Sequence, residues 1–274
     1  MNKIYNQIIN LLKKCESKDS FMPPTILFNE GWMLRLILDR FASISTVNNS
    51  HPLNIPSGCK WHSEALLPSA FLADSQSDKL AESWTHADGV IGNFNIGESA
   101  KGDLTLESNA THFVVLEAKM FSKLSGGVRH APSFNQAARN VSCIAEVLCR
   151  AKRKPDELRT LGFYVVAPSS QIEQGIFNKF LNKGSIKELV NLRVSKYTGD
   201  RRNKLNQWFS DWFLPTLNKI DIQEVSWGSL IDFLTQNAQD AEGLRKFYNL
   251  CLKFNQPNRE DRTITFSRVS DRSG

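Results

Sequence analysis

The stretch THFVVLEAKM, residues 111–120, decides how this chain is read. Its Val- and Leu-rich middle is a short apolar run of the kind that forms a buried strand. Yet Glu117 and Lys119 stand near its end. Side chains alternate across a strand, so His112, Val114, Leu116, Ala118 and Met120 share one face. Phe113, Val115, Glu117, Lys119 and Phe121 share the other. Acid and base thus point the same way, roughly 7 Å apart. Charges in so apolar a setting are costly unless compensated. Either the two form a structural ion pair, or Glu117 shares a divalent cation with other carboxylates.

Outward from this strand, the pattern sets an order of elements. THADGVIGNFNI (85–96) and DLTLES (103–108) precede it as two further strand-like runs, separated by Gly-, Ser- and Asn-containing turns. Three strands joined this closely are expected to be antiparallel neighbours. A loop, 122–133, follows, then an amphipathic helix from Phe134 to about Ala151. TLGFYVVAP (160–168) reads as a buried strand, reached by a right-handed crossover and so parallel to 111–120. Upstream, helical periodicity marks 1–17 and 28–41, and 44–60 is a loop. SEALLPSAFLA (63–73) reads as a helical or irregular apolar piece broken by Pro68. Downstream, helices are expected at about 170–183, 201–219, 228–237 and 240–254, with a strand at 222–227 and a polar tail at 255–274. The expectation is an α/β fold whose mixed sheet is flanked by helices, with an N-terminal helix and a helical C-terminal extension. The working division is 1–170 for the core and 171–274 for the extension, packed as one unit.

Composition bounds the function classes. At 274 residues and 41% hydrophobic, the chain can bury a large core. The net charge of +6 is a mild pointer to an anionic partner such as nucleic acid. Five scattered cysteines with no CxxC pair argue against a zinc ribbon or an iron–sulfur cluster. Reduced, mostly buried thiols fit better. The N-terminus is too polar for a signal peptide, and no run is long enough to span a membrane. The cytoplasm is the default expectation.

Other acids stand where they can join Glu117. Asp88 lies in HADGVIG, in the first strand of the block. Glu30 lies in FNEGWM, in the first turn of an apolar helix, where the helix macrodipole alone also favours an acid. Asp103, after Gly102, is the rival to Asp88 but suits a turn. Glu64 is the alternative to Glu30. Gln136 shares a polar helical face with Arg139 and Asn140, although Ser133 to Gln136 also fits an S-x-x-Q capping box.

With Asp88 upstream and Glu117-Ala118-Lys119 ending an apolar strand, the chain resembles the PD-(D/E)xK nuclease superfamily, which includes restriction endonucleases and RecB-like nucleases. The resemblance covers roughly residues 25–170 and implies a restriction-endonuclease-like αβββαβ core. It implies that Asp88 and Glu117 hold metal and that Lys119 is the catalytic lysine. Glu30 is similar to the acid of the first core helix and would join the metal; Gln136 is similar to the glutamine of the RecB-like members. Ala87 stands where the motif often has Pro. The activity implied is Mg²⁺- or Mn²⁺-dependent hydrolysis of DNA by an endonuclease, in a setting of restriction or anti-phage defence. A homodimer or a defence-system protein is the implied partner, and the alternative is a non-catalytic nucleic-acid-binding or scaffold module. Hard carboxylate oxygens suit such cations.

Glu-x-Lys alone carries little, since Glu16-Ser17-Lys18 repeats it on a polar helix end. His86 and His112 read as structural. Lys123, Arg129 and His130 in the following loop, and the runs Lys152-Arg153-Lys154 and Arg201-Arg202, are candidates for phosphate contact or plain surface.

Overall fold

The computed structural model describes residues 2–16, 21–44, 51–74, 78–97, 102–127, 131–237 and 242–257. Among these residues the strands are β1 Lys60–Leu67, β2 Thr85–Gly92, β3 Phe94–Ile96, β4 Leu104–Leu106, β5 His112–Ala118, β6 Thr160–Ala167 and β7 Asp221–Ser226. The helices are α1 Asn2–Lys13, α2 Glu30–Ser43, α3 Gln136–Arg150, α4 Ser169–Glu173, α5 Asn178–Leu181, α6 Lys183–Ser195, α7 Gly199–Trp208, α8 Leu214–Lys219, α9 Trp227–Asn237 and α10 Glu242–Asn255.

Five strands form one mixed sheet in the order β1-β2-β5-β6-β7. β1 and β2, and β2 and β5, are antiparallel; β5, β6 and β7 run parallel. β5 is buried along its whole length and β6 along nearly all of it, because helices cover both faces. The alternation in β5 sorts two cores. Phe113 and Val115 pack with Phe163, Val165 and the apolar stripes of α3, α6, α7 and α8. Val114, Leu116 and Ala118 pack on the other side with Leu34 and Leu38 of α2 and with α9 and α10. α2 lies close because position 89 is glycine: a Cβ there would stand 3.0 Å from Leu34. The chain is thus α/β, a mixed five-stranded sheet flanked by helices.

Three expectations change. Residues 63–73 are not helical, since β1 pairs antiparallel with β2 from Lys60 to Leu67. The strand was hidden because Glu64 adopts φ +57° and interrupts the two-residue alternation. Residues 103–108 do not supply a strand of the main sheet. Only three of them are strand, and they pair with β3 as a separate hairpin. Finally, α6 occupies residues expected to lie between helices, and its inward face carries Arg193 beside Ile186, Val190 and Val194, which blurs the apolar stripe.

The strand at 222–227 is present as β7 and completes the sheet from within the C-terminal third. α1 forms as the periodicity predicts, yet Ile4, Tyr5, Ile8 and Ile9 are exposed, and its apolar side reaches the core only at its end, through Leu12 and the buried Cys15 just beyond. All five cysteines are free thiols. No helix among the described residues is long and apolar enough to cross a membrane.

Candidate active site

The site stands where β2 and β5 part. The last ladder pair between them is Gly89 with Leu116. One position further, Asp88 lies opposite Glu117 with no backbone pair, and its side chain takes over: Asp88 Oδ2 accepts the Ala118 N–H at 2.7 Å. On the other flank of β2, Asp88 faces Glu64, the residue at positive φ. Both strands change faces there. Trp61 and Ile91 pack with the α2 side, whereas Ala65 and Ala87 pack with the α3 side. Arg35 of α2 secures the turnover by donating to Ser63 Oγ at 3.0 Å and Glu64 Oε1 at 3.2 Å.

Glu117 is 2% exposed and has three donors. Its Oε1 accepts from Lys119 Nζ at 2.6 Å and Gln136 Nε2 at 2.5 Å, and its Oε2 accepts from Asn140 Nδ2 at 3.3 Å. Burial pushes its carboxyl up to about 7, and the charge of Asp88 adds to the rise while Lys119 opposes it. Two carboxylates in one dry place repel, and one ammonium does not fully offset them. Lys119 is fixed through its backbone. Its N–H donates to Val166 O at 2.8 Å, and its carbonyl accepts from Trp227 Nε1 at 2.9 Å.

α3 begins at Gln136, and its cap is Asn135, whose Oδ1 accepts the Ala138 N–H at 2.9 Å. The capping box expected from Ser133 therefore does not form, and Gln136 is left to turn toward the sheet. It grips Ser125 by both backbone groups, at 3.1 and 3.0 Å, while holding Glu117. Gln171 of α4 does the same for the start of this loop, accepting from Phe121 N at 3.0 Å and donating to Ser122 O at 3.3 Å. No local signal could have found Gln171, because its partners are 50 and 49 positions away. Asn140 was visible as a neighbour of Gln136 on one helical face. Its 1% exposure and its bond to Glu117 make it part of the site.

No protein-family model, curated protein or solved structure matches this chain.

Asp88, Glu117, Lys119 and Gln136 thus come together. Glu30 is the first residue of α2, and its charge acts on Cys251 of α10, whose thiol burial pushes up to about 12. Among the described residues no group of three His, Cys, Asp or Glu side chains is placed to hold a metal ion. Asp103 sits instead at the flank of β1, where it bridges to Leu66. His86 is exposed beside Glu64, and burial pushes His112 down to about 4. Of the basic runs, Arg153 donates to Ala110 O at 3.0 Å and Arg201 to Ala70 O at 2.7 Å, so both hold the fold together. Arg129, His130 and Lys18 lie outside the described residues, as does the tail from 258.

Proposed function

We propose that this chain is a metal-dependent nuclease of the PD-(D/E)xK kind that hydrolyses phosphodiester bonds in DNA. One observation carries the reading: Asp88 and Glu117 face each other on adjacent strands, with Lys119 on Glu117 at 2.6 Å. The succession α2, β1, β2, β5, α3, β6, with antiparallel steps followed by a parallel crossover, supports an αβββαβ core of the restriction-endonuclease type.

The donor set fits Mg²⁺ or Mn²⁺. Mg²⁺ keeps several waters and is held by one or two carboxylates together with substrate phosphates. Asp88 and Glu117 would hold the ion, which would offset the repulsion of Asp88 that adds to the burial-driven rise of the Glu117 pKa. Such an ion, when bound, neutralises phosphate charge and acidifies its water. The chain's own residues do the rest. Gln136 and Asn140 fix the two oxygens of Glu117, so the carboxylate cannot swing. Lys119 is the more exposed member of its pair, at 11% against 2%. Its ammonium has three donors and gives one to Glu117, leaving two for an attacking water and a phosphate oxygen. The setting that the resemblance implies is restriction or anti-phage defence.

The test is incubation with plasmid, linear duplex and single-stranded DNA in Mg²⁺, Mn²⁺ or EDTA. Metal-dependent cleavage is expected, reduced at least about a hundredfold in Lys119→Ala and in Glu117→Ala. Absence of such cleavage, or equal cleavage in both variants, overturns the reading. One observation favours a non-catalytic DNA-binding module instead: Glu117 is already satisfied by Lys119, Gln136 and Asn140, as a structural network would be. DNA binding without cleavage under every metal condition would support that module.

A further inference from the structure

We infer that the cavity between the loop after Lys119 and helices α5 and α6 receives one unstacked nucleotide of the substrate strand, beside the scissile phosphate. This makes the substrate single-stranded or locally unpaired DNA, and it rests on the nuclease reading of the site. The cavity measures about 460 Å³ and is lined by Gly126, Asn135, Lys179, Phe180, Ser185 and Glu188. That is within the usual range for a small-ligand site.

Its walls are continuous with the site. Gly126 follows Ser125, whose backbone Gln136 grips, and Asn135 immediately precedes Gln136. Adjacent Cα atoms are about 3.8 Å apart, so two of the lining residues are direct chain neighbours of Gln136 and of the Ser125 that it grips.

The lining chemistry offers contacts for the face of a base, its edge and a phosphate. Phe180 and Leu189 are anchored on the α3-side core and make an apolar wall. Among the described residues Phe180 pairs with no other ring, which leaves its face for a base. Lys179 is exposed and in no ion pair among them, so its ammonium is available to a phosphate. Glu188 is likewise exposed and can accept from an exocyclic amino group. A base held in a duplex cannot enter such a cavity without leaving its stack.

The experiment measures binding of the full chain in EDTA by fluorescence anisotropy. The probes are an end-labelled single-stranded DNA, its duplex, and an abasic strand of equal length that keeps the phosphates. The single strand is expected to bind more tightly than the duplex. Phe180→Ala is expected to weaken single-strand binding about tenfold, and to leave the abasic strand unchanged. Lys179→Ala, an exposed position, should weaken all strands and lower the salt dependence. Should Phe180→Ala fail to fold by thermal melt, the intact protein's preference for the single strand over the abasic strand decides. Equal binding of single strand and duplex, or indifference to the bases, overturns the inference. The two readings fail separately. Base-dependent binding without metal-dependent cleavage keeps the cavity and loses the chemistry; cleavage that ignores Phe180 and the bases does the reverse.

Discussion

Glu117 meets Lys119 at 2.6 Å, and Glu242 meets Lys246 at 2.8 Å. The first pair lies at the end of a central strand, the second on the outer face of α10. The distances barely differ. The surroundings differ completely, with side chains 11% or less exposed in the first pair and over 70% exposed in the second. On α10 the hydrogen bond from Lys246 lowers the pKa of Glu242, as a partner in water should. At the strand end burial dominates, and Glu117 is raised despite a closer partner. An ion pair is therefore defined less by its length than by what else reaches its oxygens.

The sharpest way to break this contrast is Lys119→Met, which strands Glu117 beside Asp88. Removing one member of a buried pair costs on the order of 3 kcal/mol, and chemical denaturation at pH 8 should read a loss of that size. At pH 5 the loss should shrink, because Glu117 then carries its own proton. A loss independent of pH would show that packing, not charge, was removed.

The second is the pH dependence itself. The folded pKa of Glu117 is raised from 4.5 to about 7. Between these values the folded state holds a proton that the unfolded state has released. Stability from this group therefore falls as pH rises through that window, and the deficit is complete above about 7. The shift corresponds to roughly 3 kcal/mol. His51 and His112, both pushed down to about 4, act with the opposite sign up to their ordinary value near 6.5. The difference between the wild-type and Glu117→Gln stability curves isolates the carboxylate. Parallel curves from pH 4.5 to 7 would refute the assignment.

The smallest effect belongs to the outer pair. Lys246→Ala should leave the denaturation midpoint unchanged within error at physiological salt, since exposed pairs are screened. A clear loss there would mean that burial is not what separates the two pairs.

These differences also explain what the sequence disclosed. β5 was legible because a buried parallel strand writes itself as an apolar run, and Glu117 and Lys119 stood out against it. Asp88 and Gln136 were legible from their places on the flanking strand and helix. β1 was not, because the positive φ of Glu64 breaks the alternation on which a strand reading depends. α6 was obscured by Arg193, a cation on an inward face. Gln171 and Trp227 act on the site's backbone across about fifty and a hundred positions, at separations of 50 and 108, and no local pattern encodes such contacts.

The bond from Trp227 to the carbonyl of Lys119 has a temporal side. A ribosome delivers Asp88, Glu117 and Lys119 long before it delivers β7 and the indole that follows. Until then the free edge of β6 has no neighbour, and the peptide carrying the lysine lacks its last anchor. A chain that stops early would hold Asp88, Glu117 and Lys119 without that anchor. The protein's final third thus completes the frame around Lys119, and a half-made copy lacks it.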